Sequence, residues 1–318
     1  MVARTIGLGA AGVVLMFLAA DAQQPAAQSG KAAPKGAVEG RLSWFDRQGR
    51  ILGTAGDLGL YRTLTISPNG MQVAFERSDP QTQNRDIWLL EFASGRTTRF
   101  TSDPGWDAFP TWSPDGSRII FTSNRGGAYD LYQKASSGAG DEELLYKSNE
   151  GKGPTSWSPD GRFLLFYSLG QPTHVRVLSV SGPADRHPVS FVDPQFTSIT
   201  ARFSPDGRWI AYTSNEPGKN EVSIRPFDPA TGSTGNPVFA THDGGRTPLW
   251  RRDGKEIFYI NQDGLATALV VNTVRGGFKG GTPKPLFQMP PGVLFWDVSP
   301  DGTRFLMPVP SSSVPPAP

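Results

Sequence analysis

Three histidines, His174, His187 and His242, are the side chains best suited to acid–base or metal chemistry in this sequence. None sits in an H-E-x-x-H pattern and none is close to another, so they read as solvated or structural. There is no cysteine, which removes disulfides, thiolate metal sites and thiol nucleophiles. Asp103 and Asp107, around Gly105-Trp106, could offer oxygens to calcium. Two carboxylates fall far short of the roughly six to eight oxygens that ion takes, so loop capping is the expectation. Gly7-Leu8-Gly9-Ala10-Ala11-Gly12 is formally G-x-G-x-x-G, but no strand precedes it and no βαβ pattern surrounds it. Gly232-Ser233-Thr234-Gly235 only looks similar to a G-x-S-x-G nucleophile elbow and reads as a loop turn. No catalytic residue, metal or cofactor is therefore expected.

The elements that would position any site come from a repeat. Ser67-Pro68-Asn69-Gly70 recurs as Ser113-Pro114-Asp115-Gly116, Ser158-Pro159-Asp160-Gly161, Ser204-Pro205-Asp206-Gly207 and Ser299-Pro300-Asp301-Gly302, with a degenerate Arg251-Arg252-Asp253-Gly254 in the one gap. The turn glycines, 70, 116, 161, 207, 254 and 302, are separated by 46, 45, 46, 47 and 48 residues. Pro presets a type I turn, Asp or Asn suits the next position, and Gly supplies the positive φ that lets two strands leave antiparallel. Apolar runs flank each turn, such as Thr111-Trp112 before and Ile119-Ile120-Phe121 after. The second runs lack polar alternation, as strands covered on both faces do. A third strand (Asp86–Leu90, Asp130–Tyr132, Glu221–Ile224) and a weaker fourth (Thr97–Phe100) complete the unit. Four strands per repeat of about 45 residues is the blade of a β-propeller, here six-bladed. The turn aspartates are then structural, and Trp44, Trp88, Trp112, Trp157, Trp209 and Trp250 are core between blades.

The last repeat runs out of chain after Arg304-Phe305-Leu306-Met307. Arg41–Asp46 and Arg50–Leu52 look like third and fourth strands with no first and second before them. Residues 40–54 are expected to complete the sixth blade beside 293–308, so that the N- and C-terminal strands close the ring and remove two exposed edges.

Bulk composition fits a single all-β unit. Hydrophobic residues make up 37% and charged residues 19%, with 37 Gly and 29 Pro to serve many tight turns. A net charge of +2 without a basic run argues against nucleic-acid binding. Residues 1–22 read as a signal peptide: Arg4, an apolar run from Ile6 to Ala20, then Ala20-Asp21-Ala22 as a cleavage site. The alternative is an uncleaved membrane anchor over residues 5–20. The expected organisation is 1–22 signal or anchor, 23–39 flexible tether, 40–308 propeller and 309–318 disordered tail.

The stretch Asp107-Ala108-Phe109-Pro110-Thr111-Trp112-Ser113-Pro114-Asp115-Gly116-Ser117-Arg118-Ile119-Ile120-Phe121-Thr122-Ser123-Asn124-Arg125, followed by Tyr129-Asp130-Leu131-Tyr132, resembles the TolB-type, WD40-like propeller repeat. The resemblance covers roughly residues 40–308. The wording of Leu42–Gly49 and Asn84–Leu90 looks closest to propellers attached to bacterial serine/threonine kinases, although no kinase domain is present. The resemblance implies a periplasmic or secreted, monomeric binding or scaffolding module for a protein, peptide or small ligand. It also implies alternatives: a ligand sensor of a signalling system, or a metal-dependent lactonase- or lyase-like enzyme using the central channel. Propellers of this type also gate serine peptidases, but the nucleophile elbow such an enzyme needs is not in this sequence.

In a propeller the Ser-Pro-Asp-Gly turns share one face. The loops from second to third strand, and from blade to blade, share the other. Those loops vary, so ligand binding is expected there. The candidates are Arg85, Trp106, Asp107, Asn124, Arg125, Asn215, Lys219, Arg246 and Trp296. Arg, Asn and Trp at a channel mouth suit a peptide terminus, a carboxylate or a sugar. The double change Arg125→Ala, Arg246→Ala is expected to abolish binding to a captured partner without lowering stability.

Overall fold

A computed structural model describes residues 38–170, 172–181, 187–273 and 277–310, all in strands, turns and loops, with no helix among them. The signal segment, most of the tether and the tail beyond 310 lie outside these residues. Every strand pairing is antiparallel.

Two sheets have four strands in chain order: Asp107–Trp112, Arg118–Gly126, Ala128–Ala135 and Glu143–Tyr146, then Lys152–Trp157, Phe163–Ser168, His174–Ser179 and Val189–Ser190. Two more have five, where uniform four-stranded blades were expected. Their third strands, Glu221–Asp228 and Leu265–Asn272, run eight residues and overhang their neighbours. Each overhang pairs with an added two-residue strand, Ser233–Thr234 or Lys279–Gly280.

The closing pairing is present. Val38–Asp46 lies beside Arg304–Pro310, with Gly40 opposite Pro310 and Asp46 opposite Arg304, and Asp297–Val298 pairs on the far side. The described strands of this pairing begin at Val38 and end at Pro310. A second correction concerns the outermost strand. Ile51–Ile66 is one 16-residue strand. Its first part pairs with Val38–Asp46 and its second with Gln72–Ser78, which fuses the closing sheet and the first repeat into one seven-stranded sheet. Gly56, at φ +75°, takes a bend there that a side chain would strain.

Apolar clusters fill the space between each consecutive pair of sheets. Ala74, Ile87, Trp112 and Phe121 join the first repeat to the second. Ile120, Leu131, Leu164 and Phe166 follow, then Leu165, Val175, Ile210 and Tyr212, then Ala211, Ile224, Trp250 and Ile257. Phe258, Phe287 and Phe305 join the last full repeat to the closing sheet. Leu42, Tyr61, Phe75 and Leu306 pack within the fused sheet, between its closing strands and those of the first repeat. Trp112 and Trp250 also tie neighbours polarly, donating Nε1–H to the carbonyls of Thr65 and Arg202 at 3.1 and 3.2 Å.

The turns behave as their composition dictates. All six turn glycines have φ between +69° and +73°. In the second repeat Ser113 Oγ donates to Asp115 at 2.6 Å and accepts the Arg118 amide at 2.9 Å. The degenerate turn lacks that hydroxyl, and Arg251 holds Asp253 at 2.9 Å instead.

Candidate functional site

The inner strands of five repeats bulge where they line an axial channel, and the short strand Asp297–Val298 does not. Register shifts fall between Ala108 and Thr111, between Ile199 and Arg202, and between Arg246 and Leu249. They force Phe109, Thr200 and Thr247 to φ values of 56°, 52° and 52°. Such backbone is costly for Phe and more so for β-branched Thr. The bulges aim side chains at the axis. Phe109 meets Tyr167 and Phe295 edge-on, at ring separations of 5.7 and 6.4 Å. These rings narrow the channel to about 60 Å³, room for roughly two waters. Arg202 lines this channel, and Asp297 is close enough for the two charges to interact. Burial lowers the Arg202 pKa and raises that of Asp297, each partly offset by the other's charge.

A far larger depression, about 690 Å³, opens beside the loop from Asp79 to Asn84 and the connection from Ser102 to Trp106. Trp88 and Trp106 line it, and arginines cover their rings: Arg77 lies 5.4 Å from the Trp88 centroid and Arg85 4.0 Å from that of Trp106. Asp79 accepts the amides of Gln81 and Thr82 at 2.8 and 2.7 Å, which shapes the loop and lowers its pKa. Asp86 is 3% exposed; burial raises its pKa, with Arg99 opposing at 2.7 Å. The Asp86 Oδ1 and Asn84 Oδ1 atoms are buried without a hydrogen-bond partner in this wall. The depression thus offers guanidinium groups of Arg77 and Arg99 and the indole surfaces of Trp88 and Trp106 to one occupant.

The nine expected residues do not form one site. Arg85 and Trp106 are stacked at the depression. Asn124 sits behind them, its Oδ1 accepting the Trp106 amide at 2.7 Å, and Asn215 holds Thr197 in the same way at 2.8 Å. Both amides fasten loops. Asp107 has no exposed surface, and its pKa is raised by burial against the pull of Ser123 and Arg125. Arg125 reaches it at 3.0 Å, with Glu142 at 3.3 Å and Asp103 at 3.8 Å. Arg125 is therefore a structural hub, and the prediction that follows from these contacts is that its removal lowers stability. Asp103 accepts the Gly105 amide at 2.7 Å, the expected loop cap. Lys219 is exposed, 3.5 Å from Glu221. Trp296 stands elsewhere: it lines the channel and donates to Thr247 Oγ1 at 3.3 Å, and Arg246 is the residue before that threonine. Sequence reasoning missed Arg77, Asp79, Asn84 and Arg99, and placed Trp88 in the core. The available signal was the long polar insertion between two apolar strands, residues 79–84. Among the described residues no group of three His, Cys, Asp or Glu side chains could hold a metal ion.

Sheets arranged about a narrow axis, with tight turns on one face and longer loops on the other, define a β-propeller. The model of the TolB β-propeller domain family matches residues 59–187. A candidate TolB structure from Agrobacterium tumefaciens superposes with a TM-score of 0.62 at 18% identity, covering 86% of this chain and 98% of that one. The periplasmic gluconolactonase PpgL of Pseudomonas aeruginosa superposes at 0.51 with 16% identity, covering 77% and 76%. At such identities the likeness shows the fold alone. In sequence, the uncharacterized peptidase YuxL of Bacillus subtilis is 26% identical over 217 residues, which is 55% of this chain and 33% of the relative. The chain thus spans about a third of that relative's length.

Proposed function

We propose that this chain is a six-bladed, extracytoplasmic binding propeller that takes a protein, peptide or small ligand on its loop face. The depression between Asp79–Asn84 and Ser102–Trp106 carries this reading through its lining, which sets Trp88 and Trp106 beside Arg77 and Arg99; its volume of some 690 Å³ is close to the 660 Å³ of a turn-face depression beside Ser113–Asp115. Pockets that bind ligands combine apolar walls with a few convergent polar groups, and this one does. The count of six rests on the turn face. Gly116, Gly161, Gly207 and Gly254 each pack against the proline of the preceding turn, Gly302 against Arg251, and Gly70 against Pro300, which completes the round. The extracytoplasmic setting rests on the sequence of residues 1–22.

Neither the peptidase relative nor the gluconolactonase neighbour brings its chemistry with it. The chain has no G-x-S-x-G elbow. A lactonase-like reading would require bound metal, so metal analysis of the purified protein separates the two classes.

The test uses blocking substitutions at exposed positions. Ser102→Trp fills the depression, and Lys255→Trp on the turn face is the control. Immobilised wild type and Lys255→Trp are expected to capture the same partner from an extracytoplasmic extract, and Ser102→Trp to lose it. Equal capture by all three would refute the assignment.

A further inference from the structure

The repeat allows blades to be compared position by position. Arg62 and Arg246 both stand eight residues before their turn glycines, Gly70 and Gly254, and Glu76 and Ile260 both stand six residues after them. In the first repeat Arg62 meets Glu76 at 3.6 Å, with Arg85 joining at 3.9 Å. In the fifth, the strand register places Arg246 directly opposite Ile260, which has no exposed surface. The arginine is present in both blades, while the carboxylate is present in only one.

Arg246 is consequently a half-buried cation without an ion-pair partner among the described residues. Its Nε is buried with no hydrogen bond. Burial lowers its pKa, and no neighbouring carboxylate opposes the shift. A guanidinium still stays protonated at neutral pH, so the uncompensated charge persists. Unpaired charge in such a place is destabilising until an anion arrives.

The surroundings are built for polar contact. Thr247 follows in its strained bulge, its amide donating to Thr213 Oγ1 at 3.0 Å. Thr213 in turn shares a hydrogen bond with Thr200 at 3.0 Å. Thr200 and Thr247 line the channel that Phe109 and Phe295 plug, and Arg246 directly precedes Thr247 in the chain.

We propose that Arg246 anchors a binding site for a singly charged organic carboxylate at the loop-face mouth of the axial channel. One guanidinium offers two parallel N–H donors to two carboxylate oxygens and balances one negative charge. A phosphate dianion would demand a second cation, and the nearest channel arginine, Arg202, is already shared with Asp297. The plug keeps the ligand at the mouth. The site is separate from the depression and stands or falls independently of it.

The test measures thermal midpoints at constant ionic strength with sodium acetate, sodium benzoate or sodium phosphate as probe. The wild-type midpoint is expected to rise saturably with a carboxylate, by about 2 °C or more, and to respond less to phosphate. Arg246→Met removes the lone charge. It is expected to melt higher than wild type in the absence of carboxylate and to lose the response. Ser102→Trp should respond like wild type, which keeps this site distinct from the depression. No saturable carboxylate response in the wild type, an unchanged response in Arg246→Met, or a response to phosphate alone would each overturn the proposal. An Arg246→Met midpoint well below wild type would reveal a hidden partner and overturn it too.

Discussion

Asp107 carries its charge where water does not reach, and Arg125 is the cation that makes this tolerable. Truncating one member of such a pair strands the other. Arg125→Ala is expected to lower stability by about 3 kcal/mol, read from denaturant unfolding. The double change Arg125→Ala, Asp107→Asn should recover part of that loss; a single mutant as stable as wild type would contradict the pairing. The residue scale is also where sequence reading reached least far. Arg125, Asn124 and Arg246 look alike as polar loop residues. Only the fold shows that the first faces three carboxylates, the second holds a backbone amide, and the third faces Ile260. Partner choice depends on groups far apart in the chain, such as Arg125 and Glu142 or Arg62 and Glu76.

At the scale of elements, the turns were legible because their chemistry is local. Pro, Asp and Gly each fix one dihedral or one short hydrogen bond, so the motif and its structure coincide. Ser204 shows how much the first position contributes. It is 1% exposed, donates to Asp206 at 2.5 Å and accepts the Trp209 amide at 2.9 Å. Ser204→Ala leaves that buried amide unpaired and should cost about 1–2 kcal/mol in chemical denaturation. Ser204→Thr, which keeps the hydroxyl, should cost less. The bulges of the inner strands were not legible. In three repeats they fall at the same place, yet the residues there are as unlike as Phe109, Thr200 and Thr247. Shape at the axis, not residue type, is what the position repeats.

For the whole molecule, the closing pairing was legible because an incomplete last repeat and orphan first strands had to meet. The fused strand Ile51–Ile66 was not, since a glycine-containing bend leaves the same mark in sequence as a turn. Closure is reinforced by Glu256, which binds Arg47 of the closing sheet at 2.8 Å and Arg251 at 2.9 Å. Hydrogen bonds from Arg47 lead the causes that hold its pKa down to about 2. An unfolded Glu titrates near 4.3, so the folded state favours the ionised form. That contribution is complete above the unfolded value and is lost as pH falls from about 5 towards 2. Allowing for solvent screening, it amounts to about 1–2 kcal/mol. Glu256→Gln is therefore expected to be less stable than wild type at pH 7 and to approach it by pH 2. A constant difference across that range would exclude this linkage.

The antiparallel seam between Val38–Asp46 and Arg304–Pro310 has a mechanical consequence. Because Gly40 lies opposite Pro310, the outward ends of both strands leave from the same end of the pair. A force pulling those two ends apart loads the interstrand hydrogen bonds one at a time, like a zip, instead of all together in shear. The circle is thus firm against heat and solvent, where every bond of the seam resists at once, but it yields readily to a tug on its two ends.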